Sequence, residues 1–388
     1  MGEGKMRCYR LLEITTTYEA YLLSYYKKNT IENLSYQEAY EQFVNDSFAE
    51  SDYIHRYLKE MGIESKVIFY NNKKLQEKWN ENSNFKTPFD IMMAQIKRFK
   101  PDVVYISDMY LFSKDELDRI RNYETGKVVK IVGFHFVVLN DFTRSMLGYY
   151  DQIYTGSRSF VELFQQEGIN AKLLRHAFDK SVLQKVSDVN KQNKVIFPGN
   201  VFVGKDMHSN RLQMLLTMMQ EEIPCSFYGN IYLQERQFRT ILGKWKNKIL
   251  YRKESEIVDK INGNSNHYGN IYGVEYYNVL ASNLICINSH VPIIKWGAGN
   301  MRMFEATGMG TCLLTDDKKE NQELFEIDKE IVTYANLEEF KDKLKWLMNC
   351  PNEAEKIGKA AQKKTLDVHT YQNKAYQLNE YIQELLTV

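Results

Sequence analysis

Apolar residues fall along the chain in two recurring patterns. Residues 6–14, 66–70, 102–107, 128–132, 152–155 and 171–175 are short runs with little polar interruption. Runs of this length, bounded by Gly, Pro, Asn and Asp, predict strands buried on both faces. Residues 18–28, 36–61, 89–99, 115–122 and 159–167 lie between them and repeat their apolar positions every three to four residues, as helices do. Gly62 and Gly168 close two of these helices as C-caps, and Lys100-Pro101 closes a third. Strand and helix alternate, which predicts right-handed βαβ units and a parallel sheet.

Residues 178–193 are polar and lysine-rich and read as a link. A second alternation follows. Strands are expected at 194–197, 225–228, 249–251, 284–288 and 311–314, and helices at 208–221 and 275–281. Residues 262–272 are rich in Gly and Asn and read as a loop. Residues 323–325, 330–334 and 337–348 continue the pattern, and the chain from 352 onward is nearly all helical. The division expected is an N-terminal domain of 1–178, joined by 371–388, and a C-terminal domain of 179–370. A length of 388 residues suits two domains of this size.

Charge narrows the choice of partners. Lys and Arg number 51 against 50 Asp and Glu, leaving a net charge of +1. That removes the electrostatic case for bulk nucleic-acid binding. Five cysteines stand at 8, 225, 286, 312 and 350, without metal-ligand spacing, and read as reduced. No signal-like segment precedes the first strand and no run of about 18 apolar residues occurs. A cytoplasmic protein is expected, with peripheral association at the inner face of the membrane left open. The 27 tyrosines suit carbohydrate contact, where a ring stacks and a hydroxyl bonds, although most of them read as surface residues of helices.

Candidate chemistry gathers at 299–316. Gly299-Asn300 is a turn and N-cap signal, and a short helix follows it. Gly308 and Gly310 end that helix and let the backbone approach something closely. The strand at 311–314 then leads to Asp316 at its carboxyl end. Arg302 and Glu305 share a helix face, since they lie three residues apart. A cation and a carboxylate beside a helix N-terminus suit a phosphorylated sugar compound, the cation for phosphate and the carboxylate for hydroxyls. An internal Arg302–Glu305 ion pair is the structural alternative. Earlier in this half, Gly199 and Asn200 follow a strand and offer backbone donors to a diphosphate, with Lys205, His208 and Arg211 close behind. Each could equally be a turn residue or surface cation, and His208 a helix cap. Tyr228 ends the next strand, where it either stacks on a base or packs structurally. In the first half, His135 ends a hydrophobic strand and Asp108 ends another. Either could take a proton from a hydroxyl. His135 reads alternatively as a histidine packed between Phe134 and Phe136. Thr16, Thr17 and Tyr18 form the first βα loop, within reach of a phosphate or an acceptor.

The stretch Asn300-x-Arg302-x-Phe304-Glu305-x-x-Gly308-x-Gly310, with Glu323-Leu324-Phe325 and the tail Val368-His369-Thr370-Tyr371, resembles the spore-maturation-protein (CgeB-like) type of glycosyltransferase. The resemblance covers roughly the last hundred residues. It implies a GT-B fold: an α/β architecture of two doubly wound, Rossmann-like domains facing across a cleft, with a C-terminal helix crossing back to the first domain. It further implies transfer of a sugar from a nucleotide-diphosphate sugar, a UDP-sugar being expected, to a hydroxyl on a carbohydrate, lipid-linked or protein acceptor. Glu305 would hold ribose, while Thr307, Gly308, Met309 and Gly310 would line the donor together with Asn300 and Arg302. No cofactor is obligatory, and no metal is expected, since no Asp-x-Asp motif ends a strand. Retaining relatives carry a second glutamate eight positions earlier, where this chain has Gly297, so the anomeric outcome stays open. A nucleotide-sugar epimerase, a phosphorylase and an inactive sugar-binding scaffold are the alternatives within this fold.

Overall fold

The computed structural model describes residues 8–187, 190–203, 209–233, 252–264, 266–290 and 297–387. The chain divides into two compact units, Met1–Asp179 with Thr370–Val388, and Lys180–His369.

The first unit is built on six parallel strands: β1 (Arg10–Thr15), β2 (Glu64–Phe69), β3 (Val103–Ile106), β4 (Lys130–Phe134), β5 (Gln152–Thr155) and β6 (Ala171–Leu173). Their order is β2-β1-β3-β4-β5-β6. The four residues of β3, Val-Val-Tyr-Ile, are all buried, as a strand covered by helices on both faces must be. The order reverses between β1 and β3, so the loops after these two strands flank a crevice at their carboxyl ends. The last helix, Tyr371–Thr387, belongs to this unit. It buries Tyr371, Ala375, Leu378, Ile382 and Leu385, at helical spacing. Tyr9 Oη donates to Asn379 Oδ1 at 3.0 Å, and Tyr381 Oη to the Leu173 carbonyl at 3.1 Å.

The stretch 36–61, expected as one helix, is two: Tyr36–Asn45 and Tyr53–Glu60. Between them Ser47, Ala49 and Ser51 take φ of 61°, 54° and 47°. Left-handed backbone costs a non-glycine residue roughly 1–2 kcal/mol. The turn brings Glu50 to Lys374 Nζ at 2.8 Å and to His176 Nδ1 at 3.0 Å. Those partners lie 324 and 126 residues away, so local periodicity carries no sign of the break. The second helix is pinned to the sheet by His55, whose Nε2 meets Glu13 Oε2 at 2.8 Å and whose Nδ1 meets Ser65 Oγ at 2.5 Å, all three buried. Two helices not expected from periodicity, Lys73–Asn80 and Asp141–Met146, also form, each capped by an Asn side chain.

The second unit contains β7 (Gln192–Pro198), β8 (Val201–Val203), β9 (Cys225–Tyr228), β10 (Ile231–Leu233), β11 (Asn283–Ile287), β12 (Cys312–Asp316) and β13 (Val332–Tyr334). Five of them make a parallel sheet ordered β13-β12-β11-β7-β9, and β8 pairs with β10. A parallel bridge from Phe227 to His267 extends the β9 edge, so part of the stretch expected as loop joins the sheet. Residues 249–251, expected as a strand, lie outside the described residues. The order reverses between β7 and β11. The chain end expected as nearly all helical is two helices, Pro351–Val368 and Tyr371–Thr387. Among the described residues no helix is long and apolar enough to cross a membrane.

Candidate functional site

The reversal point of the second unit is built from glycines. Gly199 follows β7 with φ of 149°, and its N–H donates to the Tyr228 carbonyl at 2.8 Å. A Cβ there would stand well under 3.0 Å from the Arg302 guanidinium. Gly229, after β9, has the same constraint from the other side, since its Cβ would meet the Gly199 carbonyl. Only two residues without side chains let these strand ends lie so close beneath a cation. Asn200 closes the turn, accepting from the Asn230 N–H at 2.9 Å.

Arg211 is spent on the scaffold. Its guanidinium donates to the Ser289 carbonyl at 2.9 and 3.1 Å and to the Asn200 carbonyl at 3.2 Å, which ties the loop after β11 to the loop after β7. Burial pushes it down to about 9, and nearby Arg302 pushes the same way. Tyr228 stacks on Tyr268, with ring centroids 5.0 Å apart and planes 19° apart. Lys205 and His208 lie outside the described residues.

The loop after β11 supplies the central amide. Asn288 is fully buried. Its Oδ1 accepts from Asn300 Nδ2 at 2.9 Å and from Arg302 Nη1 at 2.7 Å, while its Nδ2 donates to Thr315 Oγ1 at 3.0 Å. His290 takes up Asp316: its backbone N–H and Nδ1 bond Asp316 Oδ1 at 2.9 and 2.7 Å, and its Nε2 accepts from the Gly299 N–H at 3.2 Å. An accepting Nε2 leaves the proton on Nδ1, facing the carboxylate. Burial pushes Asp316 up, yet the side-chain and backbone bonds from His290 and the nearby Lys318 cation outweigh it and hold the carboxyl at about 2.

These bonds aim the helix Met301–Gly308, whose N-cap is Asn300, accepting from the Met303 N–H at 3.3 Å. Arg302 is half-buried and turns to Asn288. Glu305 is buried and accepts from Tyr276 Oη at 3.1 Å and from Tyr277 Oη at 3.4 Å. Burial pushes its carboxyl up to about 7, while the Tyr276 bond and the Arg302 charge oppose the rise. The far side of the helix meets another element. Thr307 Oγ1 donates to the Met303 carbonyl at 2.7 Å and accepts from Thr365 Oγ1 at 2.7 Å. The Gly308 carbonyl accepts from Gln362 at 2.9 Å, and a Cβ on Gly358 would stand 2.5 Å from the Gly310 carbonyl. Thr307, Gly308 and Gly310 thus meet the helix Pro351–Val368, and Met309 beside them is buried. Of the residues expected around a donor, the fold brings Gly199, Asn200, Arg211, Asn300 and Arg302 into one bonded group, with Glu305 one helical turn on.

In the first unit, Thr16 Oγ1 donates to Asp108 Oδ2 at 3.3 Å across the reversal point between β1 and β3. Thr17 is held by Asn71, its N–H donating to Oδ1 at 2.8 Å. Tyr18 is 71% exposed and lies edge-on to Phe48. Asp108 is exposed, whereas His135 is fully buried. The His135 ring packs edge-on against Phe160 and Phe164, and Tyr110 Oη bonds its Nδ1. Burial pushes the imidazole down to about 4, against a backbone bond at Val137.

Sequence reasoning passed over Tyr276 and Tyr277, took Gly229 as a strand end, and placed Asn288 and His290 at the carboxyl end of a buried strand, facing the cleft or, for the histidine, satisfied within a turn. The signal for the tyrosines was indirect: a carboxyl in the apolar setting of Phe304 and Ala306 demands donors, and two adjacent tyrosines open the preceding helix.

Residues 211–380 match the family model described as glycosyl transferase-like. No curated protein matches the chain. Among solved structures, a glycosyltransferase from Rickettsia africae aligns over 98% of this chain and 99% of its own, at 12% identity and a TM-score of 0.56. Sucrose-phosphate synthase from Thermosynechococcus elongatus aligns over 97% and 100%, at 11% identity and a TM-score of 0.57. Anabaena HepE, solved with UDP and glucose, aligns over 97% and 100%, at 11% identity and a TM-score of 0.57. These likenesses establish the fold: two Rossmann-like units of parallel sheet and helix, as in the GT-B glycosyltransferases.

Proposed function

We propose that this chain is a glycosyltransferase that moves a sugar from a nucleotide-diphosphate sugar to a hydroxyl acceptor. The observation that carries the reading is the cation of Arg302 over the Gly199 turn, with the buried carboxyl of Glu305 one helical turn further along. A diphosphate needs a cation and open backbone donors, and a ribose needs an acceptor of hydroxyl bonds. In this reading Gly199 and Arg302 hold the diphosphate and Glu305 holds the ribose. Arg211 and Asn288 keep that group in place. Thr307, Gly308 and Gly310 act through packing rather than through contact with the donor.

Residues 179–370 form the donor domain in this proposal, and residues 1–178 with 371–388 the acceptor domain. Asp108 is the better proton acceptor of the two candidates, because it is exposed at the end of β3, while the His135 ring is enclosed by aromatic side chains. Arg302 and the helix N-terminus at Asn300 supply positive charge to the departing diphosphate, so the scheme does not call on a metal. A UDP-sugar is the first donor to try, since HepE was solved with UDP-glucose. The CgeB-like relation, a hexosyl group and a role in surface polysaccharide or glycan synthesis belong to the same proposal. So does work in the cytoplasm, at the inner membrane face when the acceptor is lipid-linked.

The test is thermal unfolding with UDP, GDP, TDP, CMP and ADP, for wild type and Glu305→Ala. A ligand at about a hundred times its dissociation constant adds about 2.7 kcal/mol of stability. A shift with one nucleotide that Glu305→Ala loses supports the assignment. No shift with any of them sinks it and favours an inactive scaffold.

A further inference from the structure

Glu305 does not wait for a ligand with bare oxygens. The Tyr276 hydroxyl donates to Oε2 at 3.1 Å and the Tyr277 hydroxyl to Oε1 at 3.4 Å. The two tyrosines are neighbours on the helix Gly273–Ser282, so one rigid element supplies both donors. A carboxylate has about four acceptor positions, two on each oxygen. One tyrosine on each oxygen therefore leaves one position free on each, the pattern that two adjacent hydroxyls fill.

We propose that Tyr276 and Tyr277 are positioning residues of the nucleotide site, holding the Glu305 carboxyl so that each oxygen keeps one acceptor position for a vicinal diol. This rests on the donor-site reading above. Arg302 lies three residues earlier on the Glu305 helix, and its guanidinium is taken up by Asn288. Cys286, on β11, is held as a neutral thiol by burial, pushed up to about 12. The tyrosines are thus the groups that bond the carboxyl directly, and burial raises the Tyr276 phenol far above its usual value, so that donor stays neutral. A diol bonds the ionised carboxyl, so nucleotide binding draws the proton off Glu305 and strengthens as pH rises. Removing the Tyr276 hydroxyl removes a bond that favours ionisation, so the carboxyl then ionises at higher pH.

The experiment is calorimetric titration of UDP, with GDP and ADP in parallel, into wild type, Tyr276→Phe, Tyr277→Phe and Glu305→Gln, between about pH 6 and about pH 8.5. Each unit by which ionisation moves is worth about tenfold in affinity on the acid side. Tyr276→Phe is expected to bind UDP several-fold more weakly at the acid end and within about twofold of wild type at the alkaline end. Tyr277→Phe should do the same to a smaller degree, because its bond is longer, and Glu305→Gln should give a flat profile. Wild type should also prefer UDP to 2′-deoxy-UDP, and Glu305→Gln should lose most of that preference. If wild type binds UDP but the Tyr276→Phe profile runs parallel to it at all pH values, the tyrosines are merely structural, and this inference falls while the donor site stands. If wild type binds none of the nucleotides, the donor reading falls and takes this inference with it.

Discussion

Arg302 Nη1 donates to Asn288 Oδ1 at 2.7 Å, so the cation over the Gly199 turn is aimed by an amide 14 residues earlier in the chain. The same Oδ1 accepts from Asn300, the cap of the Arg302 helix. Replacing Asn288 with Ala removes the side-chain bond that aims Arg302 and takes one bond each from Asn300 and Thr315, which keep those to Met303 and Asp316. A cost of about 1–3 kcal/mol in folding stability is expected from the lost bonds. Nucleotide affinity should fall more than it does in Thr315→Val, which leaves the Arg302 bond intact. Equal losses in the two variants, by denaturant melts and calorimetry, would show that Asn288 does not aim the cation.

Gly199 carries both a positive φ and a neighbour that occupies the Cβ position. Gly199→Ala is expected to cost about 1–3 kcal/mol in backbone strain and to displace Arg302. Gly62, also at positive φ but with open space around it, makes the control: Gly62→Ala should lose stability without loss of nucleotide binding. Unchanged binding in Gly199→Ala would remove this turn from the site.

Glu305 gives the protein a pH signature even without ligand. Its carboxyl is raised from 4.5 to about 7, so the folded chain keeps a proton that the unfolded chain releases earlier. Stability is therefore fullest below 4.5, declines as pH rises towards 7, and levels off above it. The decline should reach at most about 3.5 kcal/mol, at about 1.4 kcal/mol per unit. Urea midpoints between about pH 5 and about pH 8 should fall in wild type and stay flatter in Glu305→Gln. Identical slopes would mean that Glu305 ionises normally.

Asp316 runs the other way. His290 and Lys318 hold it at about 2, below its ordinary 3.8, so its contribution is present above 3.8 and is lost as pH falls towards 2. In His290→Ala the buried carboxylate keeps Lys318, 3.3 Å from Oδ2, and the backbone N–H bond but loses the imidazole bond, and a loss of about 1–3 kcal/mol at neutral pH is expected. Asp316→Asn in the same background should recover part of it, because no charge is then left buried. Failure of that rescue would argue that His290 matters for packing alone.

In the first unit, His55→Leu should leave Glu13 buried without its hydrogen-bond partner, at about 1–3 kcal/mol. The expected result is early unfolding of that unit with nucleotide binding kept by the other, read by limited proteolysis alongside calorimetry. A single melting step unchanged from wild type would overturn it.

Strand and helix alternation was legible in the chain because a strand covered on both faces must be apolar throughout, and runs such as Val103–Ile106 contain nothing else. The helix at 301–308 and the glycines that end it could be read locally, since caps and positive-φ turns are set by neighbouring residues. What Gly310 makes room for could not be read. The helix that presses on it begins at Pro351, and only packing brings them together. The same holds for the break at 46–52, where partners 126 and 324 residues away outweigh a helical pattern. It holds for Arg211 as well, which reads as a free cation in sequence and is consumed by two backbone carbonyls in the fold. Sequence determines which residues must leave water and which backbone shapes are allowed. Which buried charge meets which donor depends on long-range contact, and for Arg302, Glu305 and Asp316 the tertiary structure alone decided it.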